Sequence, residues 1–197
     1  MGEHRRTPEQ LTCMRRAVFL DRDGVLARVI LRNGRPSAPT MLEEFEIDPE
    51  AAVVLPALRA ADFLLIVVTN QPDVGRGSVR REVVEAMHRL LQATLPLDDI
   101  KVCWEVDGPA NTSYKPKPGL LLEAAREHGI DLGRSFMVGD RWRDVGAGRA
   151  AGCFTVLIDR AYAEPMTETP DAVCADLAGA AAIILDRVQH AVDGRSR

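Results

Sequence analysis

The chain has 197 residues, enough for one domain with a sizeable core. Its composition, 46% apolar and 27% charged, is that of a globular protein, and a net charge of -4 gives no overall basic field to draw in nucleic acid. No apolar run approaches membrane-spanning length and the charged N-terminus has no apolar signal core, so a cytoplasmic protein without a membrane partner is expected.

Residues 1–14 are polar and basic and read as a flexible lead-in to a single domain over 15–190. Residues 17–21 form a short apolar run that ends in Asp21 and Asp23, followed by Gly24. This reads as a buried strand leaving into a turn. Alternation along an extended chain aims the two carboxylates the same way. Such a pair needs a cation or donors, although Asp-x-Asp-Gly also occurs in calcium loops. Residues 27–46 read as a long loop with turn signals at Asn33-Gly34, Pro36 and Pro39. A loop of that length is expected to flank a site. Residues 49–61 read as a helix capped by Asp48, with Pro56 expected to kink or shorten it.

The continuous apolar run 63–68 reads as a strand covered on both faces, ending at Thr69-Asn70-Gln71-Pro72. A loop over 73–78 contains Gly75-Arg76-Gly77, and an amphipathic helix follows to about Leu95. A strand over 100–104 and a polar loop over 105–114 lead to Lys115-Pro116-Lys117-Pro118-Gly119. A helix over 120–128 stops at Gly129. A strand over 136–138 ends in Gly139-Asp140, and a helix over 142–151 carries Asp144. Next come a strand over 154–158, a loop over 160–172 and a last helix over 177–188. This alternation predicts an α/β fold with a mostly parallel central sheet.

In a parallel sheet the C-terminal strand ends share one edge, where ligands bind. Asp21, Asp23, Thr69, Asn70, Asp140 and Asp144 gather there, with Lys115 opening the helix after the intervening strand. Clustered carboxylates repel unless a hard cation relieves them, and Mg2+ suits a site of few carboxylates. Lys115 balances charge, and Thr69 with Asn70 can donate to phosphate oxygens. One aspartate can take phosphorus as a nucleophile and a second can serve as general acid and base.

Four segments, Asp21-Arg22-Asp23-Gly24-Val25, Val67-Val68-Thr69-Asn70-Gln71, Lys115-Pro116-Lys117-Pro118-Gly119 and 137–144, resemble the four motifs of the haloacid dehalogenase (HAD) superfamily of phosphatases, in the family's order. Within it the chain is similar to the nearly capless subfamily IIIA enzymes, the heptose 1,7-bisphosphate and histidinol-phosphate phosphatases. The resemblance implies a HAD-like, Rossmann-like three-layer fold with a minimal cap. It implies a Mg2+-dependent phosphomonoesterase working through an aspartyl-phosphate on a small sugar phosphate, heptose 1,7-bisphosphate or a related one. Histidinol phosphate is the alternative substrate, and a phosphotransferase or mutase could use the same site. By the resemblance Asp21 is nucleophile and metal ligand. Asp23 is acid/base, with its carbonyl on the metal, and Asp140 is a direct ligand. Asp144 orients metal water or Lys115. Thr69, Asn70 and Lys115 hold phosphate, and Arg76 reaches substrate. The partner expected is a small phosphorylated metabolite, and the state expected is a monomer.

Two positions depart from the pattern. The resembled enzymes hold a structural zinc in the loop before the lysine, but here only Cys103 remains, with Glu105, Asn111 and Ser113 in the other ligand places. Zinc needs four good ligands, so none is expected. The remaining cysteines, Cys13, Cys153 and Cys174, are scattered and read, like Cys103, as reduced packing thiols. Tyr114 stands where an arginine usually precedes the lysine, leaving Lys117 and Arg141 to supply charge toward substrate. His88 and His128 read as helix residues with no ligand role.

Overall fold

The computed structural model describes residues 14–32 and 35–193. All but the last residue of the expected 1–14 lead-in, Cys13 included, and the Asn33-Gly34 turn lie outside the described residues. Six parallel strands form one sheet in the order β5-β4-β1-β6-β7-β8. They are β1 (Arg16–Leu20), β4 (Phe63–Asn70), β5 (Asp99–Cys103), β6 (Phe136–Gly139), β7 (Phe154–Ile158) and β8 (Ala172–Cys174). Helices α1 (Pro49–Ala60), α3 (Arg81–Thr94), α4 (Gly119–His128), α5 (Trp142–Ala151) and α6 (Leu177–Asp193) cover it.

Strand alternation sorts the core into two layers. Val18, Leu20, Leu65, Val67 and Val138 pack with Leu55 and Leu58 of α1, Met87 and Leu91 of α3, and Ile184 of α6. Ala17, Phe19, Ile66, Val68 and Met137 face the other way, onto Leu120, Leu121 and Ala124 of α4 and Ala147 of α5. Strands buried on both faces show no polar alternation, which is why 63–68 is continuously apolar. The winding runs from β1 outward through β4 to β5, then returns to place β6 on the other side of β1. Successive strands therefore diverge at the β1/β6 boundary, and that boundary opens a crevice at the sheet's C-terminal edge.

Several expectations need correction. Residues 27–46 are not a plain loop. They contain an antiparallel hairpin, β2 (Ile30–Arg32) with β3 (Arg35–Ser37), and a single 3-10 turn at Leu42–Glu44. Pro56 does not shorten α1, because Pro56 and the carbonyl it leaves unpaired, that of Ala52, both lie on the exposed side. The segment 73–78 overlaps a short helix, α2 (Pro72–Gly75), and 160–172 ends in the edge strand β8. Asp48 caps α1 as expected, accepting from the Glu50 N–H at 3.0 Å. Among the described residues no helix is long and apolar enough to cross a membrane.

Leu65 sits on the central strand β4 with no exposed surface. Leu65→Ala is expected to lower stability by about 2–5 kcal/mol, through lost burial plus the cavity left behind. Urea unfolding followed by circular dichroism measures this.

Candidate active site

A cleft of about 360 Å³ opens at the sheet's C-terminal edge, lined by Asp21, Asp23, Thr69, Asn70, Arg76, Tyr114, Lys115, Asp140, Arg141 and Asp144. Of the residues expected from the sequence to meet substrate, phosphate or metal, all but Lys117 therefore gather in one place, joined by Arg143, by Pro36 and Ser37 of the hairpin and by Ala38.

Asp21 leaves β1 and Asp140 leaves β6, so the two straddle the crevice. Asp144 comes from the first turn of α5, where it completes a capping box by accepting the Arg141 N–H at 3.1 Å. Carboxylate oxygens of Asp21, Asp140 and Asp144 lie within 4.8 Å of one another. Two glycines make this possible. Gly24 has φ +87°, and a Cβ there would meet Asp140 Oδ2 at 1.8 Å. A Cβ on Gly139 would meet Asp144 Cβ at 2.1 Å.

Lys115 enters from below with almost no exposure. Its Nζ donates to Asp144 Oδ1 at 2.6 Å and to the Val68 carbonyl at 2.8 Å, and lies 2.8 Å from Asp21 Oδ1. Burial opposes its charge, but Asp144 and Asp21 outweigh that and hold the ammonium pKa above its ordinary value. One cation does not neutralise three carboxylates. Burial, with Asp144 adding repulsion against the pull of Lys115, raises Asp21 to about 7. Burial and the Asp21 charge raise Asp140 well above the carboxylate range. Asp140 Oδ1 is buried and, among the described residues, has no hydrogen-bond partner. An orphaned carboxylate oxygen beside two others is the donor set a hard divalent cation takes.

Asp23 lies beside this cluster. Arg22 forks onto it, Nε to Oδ1 at 3.0 Å and Nη2 to Oδ2 at 2.7 Å, and Gln71 Nε2 reaches Oδ2 at 3.2 Å. Thr69 Oγ1 accepts from Gln71 Nε2 at 2.9 Å, which leaves its own O–H to donate. Both polar atoms of the Asn70 side chain are engaged. Its Nδ2 donates to the Lys115 carbonyl at 3.1 Å and its Oδ1 accepts the Lys115 N–H at 3.0 Å. Its carboxamide thus fixes the lysine loop.

The outer cations are partly spoken for. The Arg141 guanidinium is held by Glu164, Arg76 pairs with Asp73 at 3.0 Å, and Lys117 pairs with Asp107 at 2.8 Å. Arg143 stacks over the Trp142 ring. Tyr114 is buried in the core layer that faces α4 and α5 while still lining the cleft. In the loop before it, Asn111 donates to Cys103 Sγ at 3.3 Å and to the Val106 carbonyl at 3.0 Å. Its Oδ1 accepts from Ser113 and Tyr114 N–H at 3.0 and 3.1 Å. One amide thus ties together a loop that lacks a zinc ligand set.

Sequence reasoning missed Arg22, Gln71, Arg143 and the strap after β7. From that strap Tyr162 donates to Asp140 Oδ2 at 2.9 Å, and Arg160 donates to the Gly24 carbonyl at 3.0 and 3.1 Å. Burial and the neighbouring Asp140 charge raise the Tyr162 phenol, so it stays a donor. A signal was available, since β7 is another parallel strand and its C-terminal end must open on the same edge.

A family model described as HAD-hydrolase-like matches residues 114–180. A D-glycero-D-manno-heptose-1,7-bisphosphate 7-phosphatase of Thermosynechococcus vestitus is 32% identical over 189 residues, covering 84% of this chain and 93% of that one. A D-glycero-beta-D-manno-heptose-1,7-bisphosphate 7-phosphatase of Helicobacter pylori J99 is 34% identical over 139 residues, covering 68% of this chain and 76% of that one. The crystal structure of the D,D-heptose 1,7-bisphosphate phosphatase from B. bronchiseptica, complexed with magnesium and phosphate, superposes with a TM-score of 0.72. It is 27% identical and covers 87% of this chain and 99% of that one.

A parallel α/β sheet with an acidic, lysine-bearing edge, set beside these relatives, defines a phosphoric monoester hydrolase. The chain belongs to the HAD family of phosphatases.

Gly24→Ala is expected to reduce phosphatase activity at least about a hundredfold, because both the positive φ and the Asp140 contact forbid a Cβ. Steady-state hydrolysis of an aryl phosphate measures it.

Proposed function

We propose that the protein is a Mg2+-dependent phosphatase that hydrolyses a small sugar phosphate, heptose 1,7-bisphosphate or a close relative, through an aspartyl-phosphate. The observation that carries this is the convergence of Asp21, Asp140, Asp144 and Lys115 in one cleft, with Asp140 Oδ1 unpartnered among the described residues. The substrate class rests on the relatives.

Asp21, Asp140 and the Asp23 carbonyl would hold the cation, which when bound neutralises charge on the transferring phosphoryl group. Asp21 Oδ1 is engaged by Lys115 and by the Arg22 N–H at 2.8 Å, so Oδ2 is the oxygen that attacks phosphorus. The bond from phosphorus to the substrate oxygen breaks as the Asp21–phosphorus bond forms. Asp23 gives a proton to the leaving oxygen, then takes one from water, and that water releases phosphate from Asp21. The Thr69 hydroxyl, the Asn70 N–H and the Lys115 ammonium bind the phosphoryl oxygens. Asp144 keeps Lys115 charged and in place. Tyr114, Arg76, Arg141 and Arg143 border the space left for the sugar. Tyr114 brings a hydroxyl and a ring face there, with no fixed charge.

With Mg2+ present, the native protein is expected to release phosphate from heptose 1,7-bisphosphate, while Asp21→Asn releases none. Given p-nitrophenyl phosphate, whose leaving group needs no proton, Asp23→Asn is expected to accumulate phosphoenzyme on Asp21, seen as added phosphate mass on the intact protein. Equal inactivity of native protein and Asp21→Asn across a panel of sugar phosphates would overturn the proposal.

A further inference from the structure

Arg22 has no exposed surface, and it ranks among the largest fully buried side chains of the chain. A buried guanidinium is costly to leave unpaired. Its only salt bridge among the described residues is to its own neighbour, Asp23. A pair between adjacent residues ties no two distant segments together, so it adds little to holding the fold. Its effect is local, because two parallel N–H bonds fix the plane and direction of one carboxylate.

The far end of the guanidinium is held as firmly. Arg22 Nη1 lies 3.2 Å from His88 Nε2, and the guanidinium carbon stands 5.5 Å from the centroid of the Phe45 ring. His88 is on α3 and Phe45 follows the 3-10 turn, so two separate elements wall in the arginine. His88 can meet the guanidinium only as an acceptor, which requires a neutral ring with its proton on Nδ1. Burial and the Arg22 charge push its pKa down to about 4, so the ring is neutral at working pH.

We propose that His88, acting through Arg22, is a positioning residue that aims the Asp23 carboxylate at the leaving-group oxygen. This rests on the reading of Asp23 as the acid/base group. His88 itself touches neither the phosphate contacts of Thr69 and Lys115 nor the proposed metal ligands, so its effect passes through the Arg22 side chain to the Asp23 carboxylate. Removing its Nε2 takes away the acceptor at Nη1, where Met87 Sδ at 4.0 Å is the other contact, so the guanidinium can turn and its Nε and Nη2 no longer hold Asp23 in one direction.

A leaving-group comparison tests this. A sugar alkoxide needs the proton from Asp23, whereas p-nitrophenolate leaves without it. The measured quantity is kcat/KM with Mg2+ present, which reports on the step that forms the aspartyl-phosphate. His88→Leu is expected to lower kcat/KM for heptose 1,7-bisphosphate by about tenfold or more, and for p-nitrophenyl phosphate by less than about threefold. His88→Gln, which keeps an acceptor, should recover most of the loss. Arg22→Lys keeps the buried charge but replaces the fork with one point, so it should show the same selective loss without emptying the His88 pocket. Equal losses on both substrates, or no loss in either variant, would overturn the positioning role. Asp23→Asn is the control and should show the largest selective loss. A native protein inactive on both substrates would overturn the reading of the site itself, and the role of His88 with it.

Discussion

Crowded negative charge at one end of a sheet is the constraint on which this structure depends. Three carboxylates share a space under 5 Å across, and one buried lysine faces them. Two like charges 4 Å apart repel by roughly 4 kcal/mol at an effective dielectric near 20. Lys115 relieves part of that for Asp21 and Asp144, and Tyr162 gives Asp140 one donor. Burial, with the repulsion that remains, raises the Asp21 and Asp140 carboxyl pKa values, and among the described residues one Asp140 oxygen has no partner. A fold keeps such a cluster only if something bound there repays its cost.

The sheet supplies the placement. Parallel strands point their C-terminal ends the same way, and the winding diverges at β1 and β6, the two strands that end in Asp21 and Asp140. Gly24 and Gly139 let the chains pass close enough for the carboxylates to meet. Around this lies a supporting layer. Asn70 pins the lysine loop, Arg22 pins Asp23, and the strap after β7 pins both Asp140 and the Gly24 turn. Asp140, the Gly24 turn and the lysine loop are thus held by residues from other elements, and Asp23 by its own neighbour, which is how a site gains precision on a rigid scaffold.

The sequence showed the parallel sheet and the site aspartates because both leave strong local marks. The run 63–68 is apolar at every position, and Asp21 and Asp140 interrupt apolar strands abruptly. What it hid lay in short or irregular chain. β2, β3 and β8 have three residues each, too few to show a period. Tyr162 and Arg160 reach the site from a loop whose path only the tertiary fold decides. Arg22 read as a polar residue in a motif, yet it is fully buried, because its partners His88 and Phe45 come from distant chain. Arg141 was expected to face substrate, and Glu164 on the strap has claimed its guanidinium. Substitution in the loop before Lys115 was legible as the loss of zinc ligands, but its replacement by the Asn111 hydrogen bonds was not.

In the proposed site proton and cation compete for the same carboxylates, and that competition gives the most direct measurement. Carboxyl groups whose folded pKa is raised stabilise the metal-free protein at acid pH, and for Asp21 that contribution fades as pH rises through about 7. Mg2+ should therefore raise the melting temperature strongly at pH 8 and little at pH 5, where protons already occupy the site. Asp140→Asn should abolish the effect at both. A melting temperature that responds to Mg2+ equally at the two pH values, or equally in native protein and Asp140→Asn, would contradict the account.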